Sequence, residues 1–225
     1  MPTMDFETAR HNMIEQQIRP WDVLDPLILE TLATLKREDF VPPAHRALAF
    51  TDMEIPLDVA GARTGETMLA PKVEARLLQA AAPRLTDSVL EIGTGSGFMA
   101  ALLATHAQRV ASWEIRPELA DFARANLARA GLDGVSVHTG NGLSALAGGV
   151  RFDLIVLSGA VDFIPDSVIA ALQPGGRVVA IVGEPPVMTA RLISRSGTSA
   201  TVVQVLFDTL AKSLAGFPKK EAFVF

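Results

Sequence analysis

The 225-residue chain has no cysteine, so it can form neither a disulfide nor a thiolate zinc site and has no cysteine nucleophile. Basic charge is also in short supply. Twenty Lys+Arg against 25 Asp+Glu leave a formal charge of −5, which argues against a mainly electrostatic nucleic-acid binder. No stretch offers the roughly 18 uncharged apolar residues that a membrane-spanning helix needs. The opening MPTMDFETARHNMIEQQIRP mixes charges and has no continuous apolar segment, unlike a secretory signal, so a cytoplasmic protein with no nucleic-acid or membrane partner is expected. Four histidines, at 11, 45, 106 and 138, are scattered without ligand spacing, and no metal is expected. Hydrophobic residues make up 49% of the chain and charged residues 20%, a balance that supports a sizeable core.

The first forty residues read as helical, with Leu24, Leu27, Ile28, Thr31, Leu32 and Leu35 at helical spacing. Asp25 before Pro26 has the pattern of an N-cap followed by proline at the first helical position. A Pro- and Gly-punctuated stretch over 41–65 reads as an irregular wrap with a short strand or two. Beyond residue 71, strands and helices alternate. Helices are expected over 73–82, 98–106, 117–130 and 165–171, and strands over 88–92, 109–114, 135–138, 153–158 and 177–182, the last after the turn signal Pro174-Gly175-Gly176. Such alternation implies right-handed βαβ units and a mostly parallel sheet covered on both faces. Two final strand-like runs, 189–194 and 199–206, flank Ser196-Gly197-Thr198 as a hairpin antiparallel to the sheet edge. The expected fold is α/β, a doubly wound Rossmann-like sheet, in a single domain over 1–225. Residues 1–70 would form an N-terminal helical and irregular extension and 71–225 a cofactor-binding core.

VLEIGTGSG is the most informative segment. A strand runs into Gly93, Gly95 and Gly97, and a helix starts near Phe98, so free N–H groups and a positive dipole end face the crevice beyond the strand ends. A dinucleotide fingerprint would need a small residue at position 98. The observed G-x-G-x-G preceded by Glu91 matches S-adenosylmethionine-dependent methyltransferases instead. Glu114 ends the next strand 23 positions after Glu91, close to the spacing of about 20 residues at which an acid holds a ribose diol. A carboxylate accepts two hydrogen bonds from such a diol and would repel a phosphate. Further along stands Gly140-Asn141-Gly142, where methyltransferases with this kind of loop set a side chain against adenine; Asn141 can both donate and accept there, and an ordinary Asn-Gly turn is the alternative reading. Trp113 suits either stacking on a base or filling the core.

The segments EDFVPPAHRALAFTDMEIPL, GETMLAPKVEA, VLEIGTGSGFMAALLA, FDLIVLSGAVDFIP and LQPGGRVVAIVG resemble protein-L-isoaspartate O-methyltransferases in order and spacing, over about residues 9–185. The resemblance implies transfer of a methyl group from S-adenosyl-L-methionine to the carboxylate of L-isoaspartyl residues in damaged proteins. It assigns the cofactor to Ala70, Glu91, Gly93, Thr94, Gly95, Gly97, Glu114, Ile115, Asn141, Gly142 and Ser158. Thr67, Leu69 and Lys72 belong to the acceptor loop. The family's Thr-Ile-Ser-Ala-Pro-His is here Thr67-Met68-Leu69-Ala70-Pro71-Lys72, so Leu69 stands in the place of a serine and Lys72 in that of a histidine. Asn141 likewise replaces an aspartate. Three readings stay open at this point: isoaspartyl methylation, methylation of another acceptor with the same cofactor, and a cofactor-binding protein without turnover or an NAD-type oxidoreductase.

Overall fold

The computed structural model describes residues 5–197 and 200–220. At the N-terminus, α1 (Phe6–Met13) is capped by Asp5, whose carboxylate accepts from the amides of Glu7 and Thr8. It runs on into a π-helical turn, Ile14–Ile18. The expected cap on α2 (Pro26–Thr34) is present, Asp25 accepting from Leu27 N and Ile28 N. The expected stripe is only partly correct. Ile28, Thr31 and Leu32 face inward together with Leu29, while Leu24 and Leu27 are 62% and 63% exposed. Leu24 precedes the helix, and Leu27 falls outside the arc that meets the rest of the protein.

The irregular wrap holds a 3₁₀ segment, Pro43–Leu48, and β1 (Ile55–Pro56), which pairs antiparallel with β2 (Thr67–Met68) just past Gly65. Then α3 (Pro71–Ala81) leads into β3 (Ser88–Ile92), α4 (Phe98–Ala104), β4 (Arg109–Glu114), α5 (Pro117–Arg129) and β5 (Val135–Thr139). After them come β6 (Phe152–Val161), α6 (Asp166–Ala170), β7 (Leu172–Glu184), β8 (Val187–Ser196) and β9 (Ala200–Asp208). The large sheet has the order β5-β4-β3-β6-β7-β8-β9, parallel through β7 and antiparallel for β8 and β9.

The doubly wound sheet and its antiparallel hairpin therefore follow the expectation. Thr198 and Ser199, part of the expected turn and second strand, lie outside the described residues. The signal at Pro174-Gly175-Gly176 does not separate elements. It sits inside β7 as a bulge, where the register jumps from Phe152↔Leu172 to Leu154↔Arg177.

Strand parity sorts the core into two faces, as a buried parallel sheet requires. Val89, Leu154, Val156, Val179 and Ile181 join the N-terminal helices, α3, α4 and α5 in one cluster. Leu90, Ile92, Ile155, Leu157, Val178 and Ala180 join Val168 of α6 and the residues around Leu143 in the other. From β3 the chain winds to β4 and β5 on one side, then returns to β6 on the other. The sheet order thus reverses beside β3, and a ligand crevice belongs at the carboxyl ends of β3 and β6. Among the described residues no helix is long and apolar enough to cross a membrane. Asp25→Ala removes the α2 cap and should lower stability by about 1 kcal/mol. Thermal unfolding with an unchanged midpoint would show the cap to be idle.

Candidate active site

Beyond β3 the backbone turns through Gly93 (φ +94°) and Gly97 (φ +84°), the latter standing directly before α4. The positive φ is what calls for glycine at both, and the space around them is tight as well. A Cβ at Gly93 would lie 2.6 Å from Leu214 Cδ2, and one at Gly97 would press on Ala123 of α5 at 3.2 Å. The loop is held from beneath by a buried hydroxyl–carboxyl network. Glu91, fully buried, accepts from Ser112 Oγ on β4 (2.6 Å) and from Ser158 Oγ on β6 (2.7 Å). Ser112 also meets Thr94 Oγ1 at 2.5 Å. Burial pushes the Glu91 carboxyl up to about 8, and the nearby Glu74 and Glu114 charges add to that; its two serine partners pull the other way.

Glu114 ends β4 and closes over the loop. Its Oε2 accepts from Gly95 N and its Oε1 from Arg116 N, each at 2.9 Å. Burial raises its carboxyl above the ordinary range and the Glu66 charge adds to that, with the amides of Arg116, Gly95 and Ile115 opposing. Each oxygen keeps a lone pair, so two adjacent hydroxyls can still be accepted.

A cleft enclosing about 570 Å³, part of it open to solvent, lies against this loop. Of the residues expected from the sequence, Thr67, Gly93, Gly95, Glu114, Ile115, Gly142 and Ser158 line it. Leu69, Glu91 and Thr94 instead line a smaller adjoining recess of about 270 Å³, which shares Thr67, Gly93, Gly95 and Ser158 with the cleft. Ala70, Lys72, Gly97 and Asn141 line neither. Ala70 precedes α3, and Gly97 serves helix packing as above. Asn141 has both ends of its amide engaged: Oδ1 accepts from Leu143 N (3.0 Å) and Nδ2 donates to Gly216 O (3.3 Å). Gly142 is the member of that turn that reaches the cleft, and a Cβ there would meet Ile92 at 2.4 Å. Trp113 lines the cleft and stacks on His138, centroids 4.9 Å apart.

The acceptor-loop side chains are committed elsewhere. Thr67 donates its hydroxyl proton to Glu54 Oε2 at 2.6 Å. Lys72 Nζ sits 2.7 Å from Asp52 Oδ2 and 4.2 Å from the Trp21 ring. Leu69, 6% exposed, offers no side-chain hydrogen bond. Its carbonyl accepts from Arg37 Nη2 at 2.7 Å.

One wall of the cleft was not expected from the sequence. Lys212, Ser213, Leu214 and Ala215 form it as a strap bound to β6 by Ala160 N→Lys212 O and Leu214 N→Ala160 O, both 2.8 Å. No local pattern marks this segment, because its partner lies some fifty residues earlier in the chain. Among the described residues no group of three or more His, Asp or Glu could hold a metal.

Residues 8–213 match the model of the protein-L-isoaspartate(D-aspartate) O-methyltransferase family. The chain is 36% identical over 190 residues to a protein-L-isoaspartate O-methyltransferase of Koribacter versatilis, covering 84% of this chain and 83% of that one. A second, from Methanoculleus marisnigri, is 38% identical over 194 residues and 86% of each chain. Two solved structures share the fold. A protein-L-isoaspartate O-methyltransferase superposes with TM-score 0.76 at 22% identity, over 92% of this chain and 66% of its own. A Plasmodium falciparum candidate protein-L-isoaspartate O-methyltransferase, in complex with S-adenosyl-L-homocysteine, does so with TM-score 0.72 at 16% identity, over 94% and 99%.

The raised Glu91 carboxyl has a consequence for stability. An acid whose pKa is higher folded than unfolded takes up a proton on folding, so stability falls as pH rises from 4.5 to about 8 and levels off beyond. Glu91→Gln should flatten that decline in denaturant titrations run at pH 5 and pH 8. An unchanged pH slope would remove the buried acid from the account.

Proposed function

The chain belongs to the protein-L-isoaspartate(D-aspartate) O-methyltransferase family, and we propose that this cleft performs the family's reaction. The reaction is methylation, dependent on S-adenosyl-L-methionine, of the carboxylate of L-isoaspartyl residues in damaged proteins, which begins their repair. The observation that carries the reading is Glu114: a buried carboxylate at the end of β4, bonded to the glycine loop through Gly95 N at 2.9 Å, with two lone pairs left for a diol. We read 1–225 as one methyltransferase domain, supported by a hydrophobic cluster whose members are drawn from Met13 to Ala190. A cytoplasmic site of action suits repair of damaged proteins.

The residues fit the cofactor. The cleft combines an acid for a ribose, Glu114, with apolar and aromatic walls, Ile92, Trp113 and Leu119, for a base. When bound, S-adenosyl-L-methionine supplies an activated methyl group on a sulfonium. Glu114 accepts the ribose hydroxyls. Gly93 and Gly95 let the backbone approach closely, and Ile115, Gly142 and Ser158 complete the wall. Glu91 and Thr94 hold the loop's shape from below.

A carboxylate acceptor is ionised at neutral pH, so no general base is needed. What the protein contributes is alignment and exclusion of water, and alignment alone can supply several kcal/mol. The recess beside Leu69 and Thr67, open to the same glycines, is where the acceptor would enter.

Leu69 leaves an incoming carboxylate without the hydroxyl donor that the family has, a loss worth roughly 1–3 kcal/mol. Thr67 does not replace it while its proton is held by Glu54. Transfer of labelled methyl to an isoaspartyl peptide, with its normal aspartyl twin as control, tests the reading. Base-labile label on the isoaspartyl peptide alone is expected, and Leu69→Ser should raise the rate. Cofactor binding without transfer by either protein would point instead to a different acceptor.

A further inference from the structure

Arg37 lies outside the glycine loop and the acceptor loop, in the 3₁₀ turn Arg37–Asp39 of the N-terminal extension, and is only 1% exposed. Its guanidinium reaches four separate parts of the chain. Nε donates to Ala49 O at 2.9 Å, Nη1 pairs with the Glu74 carboxylate of α3, and Nη2 donates to Leu69 O at 2.7 Å. Its plane lies 4.9 Å from the ring centroid of Phe98, the first residue of the helix that follows the glycine loop. Phe98 in turn packs edge-on against Phe40, three residues after Arg37, at 5.3 Å.

A buried ion pair is a poor source of stability, because desolvation offsets most of its Coulomb gain. What it does fix is geometry. The Leu69 side chain cannot form a hydrogen bond, so the polar hold on this residue falls to its carbonyl, and Arg37 supplies it. The same guanidinium rests on Phe98, so one planar group sets the acceptor loop against the end of the cofactor loop.

We propose that Arg37 is a positioning residue for the methyl acceptor, holding residues 67–70 in register with the glycine loop, with Glu74 as the counter-ion that aims it. The proposal rests on the methyltransferase reading for its catalytic consequence but not for its structural one. A lysine would keep the charge yet lose the fork that reaches three acceptors at once.

The test compares wild type, R37K and E74Q in three measurements: kcat and KM for an isoaspartyl peptide, calorimetric affinity for S-adenosylhomocysteine, and amide hydrogen exchange. R37K should lower kcat by about 10- to 100-fold, the penalty of a misplacement near 1 Å. Affinity for S-adenosylhomocysteine should stay as in wild type, and exchange should quicken at 67–70 but not at 93–97. E74Q, which leaves the guanidinium's other bonds in place, should show the same pattern more weakly, and it decides the matter if R37K does not fold. Wild-type kcat together with wild-type exchange at 67–70 would overturn the proposal. So would exchange that quickens equally in both loops, with kcat and affinity lost together, the mark of a merely structural residue. Should wild type itself transfer no methyl to the peptide, the functional reading fails, and exchange at 67–70 alone decides for or against Arg37.

Discussion

A single carboxyl group, that of Glu91, ties together the three strands on which the site is built. It stands on β3, where the sheet order reverses, and takes one hydroxyl from β4 and one from β6. Ser112 passes the connection on to Thr94, inside the glycine loop. A buried polar network of this kind is costly unless every member is satisfied, and satisfied it admits few alternative arrangements. The glycine loop inherits that rigidity. It is held from below by Glu91 and from the side by Glu114, so its amides and open φ angles are presented to the cleft without further reorganisation.

Three buried carboxyls crowd this region, and burial raises all of them. Glu74 is pushed up to about 7, Glu91 to about 8, and Glu114 upward as well. Each is managed differently: Glu74 by an arginine, Glu91 by hydroxyls, Glu114 by backbone amides. The division follows position. The hydroxyl-bound acid is internal and shapes the loop, the arginine-bound acid lines the recess beside Leu69, and the amide-bound acid lines the cleft. The strap of Lys212 to Ala215 adds a further wall to the cleft, with Leu214 set against Gly93.

What was legible in the sequence was local. VLEIGTGSG encodes a strand and a loop with positive φ within nine residues, a helix begins at the next, and Glu114 ends the strand that follows it. Asp25-Pro26 carries its own capping chemistry. What was not legible depends on partners far away in the chain. Lys72 and Thr67 read as acceptor-loop chemistry, yet Asp52 and Glu54 hold their polar ends. Asn141 is engaged by Leu143 and by Gly216, seventy-five residues on. The strap and Arg37 have no periodic or compositional mark at all. Bonds such as Arg37 to Leu69 and Ala160 to Lys212 become visible only once the chain is folded.

On the function proposed above, Glu114, at the end of β4, would be the group that holds the cofactor to the glycine loop. Calorimetric titration of wild type and Glu114→Ala with S-adenosylhomocysteine tests it most directly. Loss of charge-assisted hydrogen bonds should weaken binding by roughly 1–3 kcal/mol in a variant that remains folded. Equal affinity in the two proteins would contradict the claim and move the cofactor to another part of the cleft.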